Sequence, residues 1–201
     1  MKISYRIAIF LAGMLLFMND ASAMAKRSLA SALRTAVYST ANGSTDTLSS
    51  VLKQKAPVFV FFSSECPISN SYMPLLTRLS AEFAPSDIRF FGVIADPDVT
   101  KEQAKKFATD YAFPCDILMD SKQELAALLK AHITPEVVVI SGAGEIKYQG
   151  RIDDRYVALG KGRVKAQHND LHDALTSISK DKKVKNPKTK VIGCWIPKLS
   201  N

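Results

Sequence analysis

The stretch FFSSECPISNSYMPLL, residues 61–76, joins an apolar run to a helical pattern through a Cys-Pro pair. Upstream, Val58 to Phe62 (VFVFF) is a continuous run of strand formers, the pattern of a central strand buried on both faces. Downstream, Tyr72, Leu75, Leu76, Leu79 and Phe83 recur at the spacing of one helix face. Pro67 suits the first helical position, where its missing N–H is not needed and its φ is already helical. That makes Cys66 the N-cap, with its sulfur turned to the free N–H groups of the first turn, whose dipoles favour a thiolate. Ser69, one turn on, offers a hydroxyl to the same sulfur. A lone cysteine is most often a small buried hydrophobe. A strand-to-helix loop at the carboxyl end of a sheet strand, however, is where α/β proteins place their chemistry. Cys66 is therefore the candidate nucleophile.

The rest of the chain alternates strands and helices. TANGST (40–45) carries an Asn-Gly turn signal for a short hairpin, and TLSSVLKQK (47–55) reads as a brief helix capped by Asp46 or Thr47 and stopped by Pro57. IRFFGVIA (88–95) is a second buried strand, followed by an amphipathic helix over 100–111 capped by Thr100. CDILMD (115–120) is a short strand, and SKQELAALLKAH (121–132) a helix capped by Ser121. EVVVI (136–140) and IKYQGRI (146–152) form a hairpin across SGAGE, and NDLHDALTSIS (169–179) is the last amphipathic helix. The order β-α-β-α-β-α-β-β-α describes an α/β fold with a mixed sheet ending in an antiparallel hairpin and a helix.

The chain has 201 residues and a formal net charge of +8. MKISYR, the apolar run IAIFLAGMLLFM and the small residues of NDASAMA have the layout of a secretory signal peptide, cleaved after Ala23 or, as the second choice, Ala25. Twelve apolar residues fall short of the ~20 that a spanning helix needs. Export to a periplasmic or extracellular space leaves a mature charge of about +7. Six lysines lie between Lys180 and Lys190 in what reads as a solvated tail; it suits peripheral contact with an anionic membrane, whereas nucleic acid is excluded as a partner. Cys66, Cys115 and Cys194 make an odd number for an oxidising compartment, so one pair forms and one thiol stays free, or one is reserved for chemistry.

Two further features give the Cys66 junction a family likeness. Pro74 lies eight residues after the cysteine, and Thr134-Pro135 directly precedes the strand EVVVI. Together with strand, Cys-Pro and helix, they resemble a thioredoxin-fold active site. There the first proline bends the cysteine helix, and the second is a cis-proline whose loop packs beside the reactive sulfur and binds the substrate chain. Over about Tyr38 to Ser179 the chain is most similar to the redoxins, the alkyl hydroperoxide reductase/thiol-specific antioxidant and peroxiredoxin-like group. FPCDILMDSKQELAALLKAHITP matches the strand and helix which that group inserts before the cis-proline.

The departures are informative. Where a thioredoxin has Trp, the second Cys and a buried Asp, this chain has Glu65, Ser69 and Val60, which excludes an ordinary dithiol reductase. Where peroxiredoxins carry Thr and Pro, it has Ser63 and Phe59. Copper-binding relatives of the fold have a second cysteine where Asn70 stands.

The resemblance implies an exported thiol oxidoreductase needing no cofactor or metal. Cys66 would attack a protein disulfide or a hydroperoxide, with Ser69 steadying the thiolate and an external thiol as reductant. Pro67, Thr134 and Pro135 would meet the substrate, and Ser63, Glu65 and Glu136 would support the site. A C-terminal arm that brings a resolving cysteine is a redoxin device. Cys194 in VIGCWIP fits it, since Gly193 permits close backbone approach and Trp195 and Ile196 can anchor the segment. The alternative pairs Cys115 with Cys194 as a staple; otherwise Cys115 reads as a core residue. The rival expectation from another class is a non-catalytic module that holds a partner protein in the Thr-Pro groove, with Cys66 idle. His168 and His172, four apart, read as helix-surface residues, and RIDDRY (151–156) as a salt-bridged loop. The resulting division is a leader (1–23), an extension (24–37), a redoxin domain (38–180) and a Lys-rich tail (181–201).

Overall fold

The computed structural model describes residues 29–199. The leader and its cleavage point lie outside the described residues. The described residues begin with a helix, α1 (29–35), and a hairpin of β1 (Val37–Thr40) and β2 (Thr45–Thr47) turning at the Asn-Gly pair. After α2 (Leu48–Val51), β3 (Ala56–Phe61) leads into α3 (Pro67–Phe83). Then come β4 (Ile88–Ile94), α4 (Lys101–Asp110), β5 (Ile117–Met119), α5 (Glu124–Leu129), and the short β6 (Ile133–Thr134). The hairpin of β7 (Glu136–Ile140) and β8 (Ile146–Gly150) follows, then a second small one of β9 (Tyr156–Ala158) and β10 (Lys161–Gly162). The last elements are α6 (Asp170–Ser179) and β11 (Cys194–Trp195).

Seven strands form one mixed sheet in the order β2-β1-β5-β4-β3-β7-β8. β3, β4 and β5 run parallel, while β7, β8 and the β1–β2 hairpin are antiparallel to their neighbours. β3 is central and wholly buried. Because successive side chains alternate across a strand, Val58, Val60 and Phe62 pack on one face with Leu76, Phe107 and Leu171 of α3, α4 and α6. Phe59 and Phe61 pack on the other face with Leu33, Leu48 and Leu129 of α1, α2 and α5. Each such fully buried side chain contributes about 1.5–3 kcal/mol of transfer free energy. The Phe62 ring lies so close over β4 that a Cβ on Gly92 would sit 2.6 Å from it. Only glycine fits there.

Three local expectations are corrected. α2 ends at Val51, and Pro57 does not stop it; Pro57 is the second residue of β3, an early strand position that proline tolerates. The short helix α5 starts at Glu124, not at Ser121. The Asp120 carboxyl group accepts from the Leu125 and Ala126 N–H groups at 3.0 and 2.8 Å, doing what a serine hydroxyl further along was expected to do. The lysine tail is not a free solvated segment. Its lysines face water, but Val184 is buried and the backbone straps along β8, with Gln149 N–H donating to Pro187 O and Thr189 N–H to Gln149 O. α4, by contrast, has the expected Thr100 cap, closed into a capping box by Gln103. Among the described residues, no helix is long and apolar enough to cross a membrane.

Candidate active site

Cys66 stands at the end of the loop from β3, in extended conformation (φ −91°), as the N-cap residue of α3 with Pro67 in the first turn. Its N–H donates to Ser63 O and its C=O accepts from Asn70 N–H, which fixes the backbone at the helix start. Pro74 lies inside α3. On the far side of the sulfur, Thr134-Pro135 is a cis peptide between β6 and β7, with Thr134 O 3.4 Å from Cys66 Sγ. The tail, strapped past β8, returns here as β11 and pairs antiparallel with β6, Cys194 opposite Thr134 and Trp195 opposite Ile133. Cys194 Sγ lies 2.6 Å from Cys66 Sγ, and both thiols are free. Formation of an S–S bond of ~2.05 Å needs only a small movement.

The two sulfurs have unlike surroundings. Burial pushes the Cys66 thiol up. Donation from the Cys194 thiol, from the Ser69 N–H and hydroxyl, and from the Cys194 N–H outweighs it, and the net direction is down. The Cys194 thiol is pushed up to about 11 by burial, by its hydrogen bond to Cys66 and by the Cys66 negative charge. The two shifts run in opposite directions, so when the pair loses a proton the charge is favoured on Cys66 and the remaining proton on Cys194. Once Cys66 has reacted and lost its charge, two of the three causes that hold Cys194 protonated disappear. The arrangement can thus deploy two nucleophiles in order.

Ser69 is fully buried, and its hydroxyl also lies 3.5 Å from the Ser63 N–H. Ser63 Oγ in turn accepts from Glu65 N–H, which shapes the loop. Pro67 and Glu65 are exposed beside the buried sulfur. Glu136 is nearly buried and braces the cis-proline loop: its carboxylate accepts from His132 N–H at 3.1 Å and from Gln149 Nε2 at 2.9 Å. Cys115 stands apart; burial, the largest effect on it, pushes its thiol up to about 11. His172 bonds Glu82, and His168 is exposed. Among the described residues, no three His, Cys, Asp or Glu side chains are grouped to hold a metal ion.

One constellation beside the site escaped the sequence reading. The Tyr72 hydroxyl donates to the buried Asp153 carboxylate, and Arg155 lies 4.5 Å over the Tyr72 ring. Burial, then the bond to Asp153, raises the Tyr72 hydroxyl pKa strongly, so it stays a neutral donor. With Pro135 and Ile192, Tyr72 and Asp153 border a small cleft. A tyrosine on a helix face otherwise filled by Leu and Phe was the available signal, since a buried hydroxyl needs a partner. RIDDRY is indeed ion-paired, through Arg151–Asp170, Arg155–Asp153 and Arg163–Asp154.

A Cys-Pro helix start set against a cis-proline loop on this mixed sheet defines a thioredoxin-like redoxin. The chain belongs to the AhpC/TSA family, whose family model matches residues 30–149. Among solved structures, it is similar to a hypothetical protein from Sinorhizobium meliloti 1021, with a TM-score of 0.75, 22% identity, and coverage of 84% of this chain and 93% of the other. It also resembles a secreted disulfide oxidoreductase from Mycobacterium tuberculosis (TM-score 0.54, 16% identity, 75% and 98% covered). Peroxidoxin BcpB from the same organism gives a TM-score of 0.55 at 18% identity, with 73% and 94% covered. At these identities the likeness is one of fold. No curated protein matches the chain.

Proposed function

We propose that the protein is an exported thiol-dependent oxidoreductase in which Cys66 attacks and Cys194 resolves. The observation that carries the reading is the pair of free sulfurs 2.6 Å apart, one favoured as thiolate and the other as thiol. With a hydroperoxide, the Cys66 thiolate takes the terminal oxygen, giving a sulfenic acid and, with one proton, an alcohol or water. Cys194 then attacks the Cys66 sulfur, forming the Cys66–Cys194 disulfide and releasing water. With a disulfide substrate, Cys66 forms a mixed disulfide and expels one thiolate, and Cys194 expels the other. In both branches two equivalents of an external thiol return the pair to the reduced state. Ser69 stabilises the thiolate, and Thr134-Pro135 holds the far side of the sulfur. Export rests on the leader-like sequence at residues 1–23.

The test supplies hydrogen peroxide and a low-molecular-weight disulfide separately to the reduced protein, with an external thiol present, and follows consumption of each. Wild type is expected to turn over at least one of them and Cys66→Ser neither. In Cys194→Ser a sulfenic acid or mixed disulfide should accumulate on Cys66. Equal turnover by wild type and Cys66→Ser would refute the reading.

A further inference from the structure

Cys66 is only 1% exposed although no covalent bond holds the segment that covers it. That segment, residues 192–197, is docked entirely by non-covalent contacts. β11 pairs with β6, Ile196 N–H donates to His132 O at 3.0 Å, and Gln123 Nε2 donates to Pro197 O at 2.5 Å. Ile192 and Cys194 pack against the core on the α3 side of the sheet, and Ile196 against the core on the other. The approach is so close that a Cβ on Gly193 would lie 2.0 Å from Thr134 O and 2.8 Å from Thr134 C. Gly193 is not among the glycines with positive φ, so its role is the approach itself and not an unusual backbone angle. The β6 edge beside Cys66, where an extended chain would add as a strand, is thus already filled by the protein's own backbone.

Taking Cys66 as the nucleophile proposed above, we propose that Gly193 and the strand it admits set the specificity of the site. The arm occupies the β6 edge as a tethered strand, so small oxidants reach Cys66 and extended polypeptide disulfides do not. Slight fraying of a two-residue strand opens a path for a molecule of peroxide size. A polypeptide must displace the whole segment, because its backbone needs the same edge.

The test is run in the full chain carrying Cys194→Ser, which keeps the arm but removes the second thiol. One probe is hydroxyethyl disulfide; the other is a disulfide-linked pair of extended peptides of about ten residues each. With either probe, Cys66 forms a mixed disulfide and releases one thiolate. Adding Gly193→Ala should raise the ratio of the peptide rate to the small-probe rate about tenfold or more; the ratio cancels the loss of the Cys194 N–H donor to the Cys66 sulfur, which acts on both probes alike. Ile196→Pro, which removes the N–H given to His132, should do the same and serves as an independent route to an open arm. An unchanged ratio between the two probes in both open-arm variants would overturn the proposal. A Cys66 no faster than an unfolded-chain cysteine with the small probe in every variant would instead refute the nucleophile reading. The ratio between probes would still report the arm.

Discussion

Replacing Ser69 with alanine removes one donor to the Cys66 sulfur and leaves the others in place. Ser69 is fully buried, and both its hydroxyl and its N–H favour the thiolate. A hydrogen bond to a charged group contributes about 1.5–3 kcal/mol. A thiolate is a soft, diffuse acceptor, so the lower end applies, and about 1.4 kcal/mol corresponds to one pH unit. The donor stabilises the ionised form, so its loss moves the titration midpoint of Cys66 upward, by about one pH unit. The assay is the pH dependence of Cys66 alkylation by iodoacetamide, resolved from Cys115 and Cys194 by mass spectrometry. On the acid side of the midpoint the rate should fall about tenfold, while rates above both midpoints should converge. Ser69→Thr keeps the hydroxyl and should stay close to wild type. Damage to the loop alone would lower both limbs together. An unmoved midpoint in Ser69→Ala would refute the argument that this hydroxyl supports the thiolate.

Three further outcomes follow from the packing and the charge arrangement. Replacing Cys66 with alanine, which removes both the sulfur and its charge, should bring the Cys194 thiol down from about 11, since only burial of the three causes survives. Its alkylation-pH profile would show the shift, and an unchanged profile would contradict ordered use of the two thiols. Gly92→Ala forces a methyl against the Phe62 ring and should destabilise by about 1–3 kcal/mol in urea unfolding. Thr189→Val removes the hydroxyl that is shared with the Tyr148 hydroxyl at 2.7 Å and that accepts from the Arg151 N–H at 3.1 Å. It should cost about 1–2 kcal/mol and speed amide exchange at Gln149, where the tail is strapped.

The parts of the fold legible in the sequence are those with local signals. VFVFF could only be a doubly buried strand, Pro67 and Pro74 marked the cysteine helix, and Thr134-Pro135 marked the cis-proline loop. What stayed hidden depends on contacts between distant segments. Leu33 lies in a polar, Ser/Thr/Ala-rich stretch, and only the finished sheet gives it a fully buried place against β3 and α5. The tail shows lysines to a reader of composition, whereas it is held by backbone groups and Val184, which composition does not report. Asp120 displaced Ser121 as the partner of the α5 N–H groups because its two oxygens accept two N–H groups at once and the chain turns through Gln123 at φ 57°. Cys194 and Cys66 are 128 positions apart, and Gly193 gave the only local hint that a backbone would come close. The Tyr72–Asp153 contact was hidden for the same reason, with one partner on a helix and the other in a loop 81 positions away.

The proposed chemistry requires that Cys66 attack and Cys194 resolve. Mass-spectrometric mapping of the fully reduced chain after one equivalent of oxidant tests it most directly. A single intramolecular product is expected, the Cys66–Cys194 disulfide, with Cys115 still a free thiol. A Cys115–Cys194 disulfide with Cys66 unmodified would contradict it.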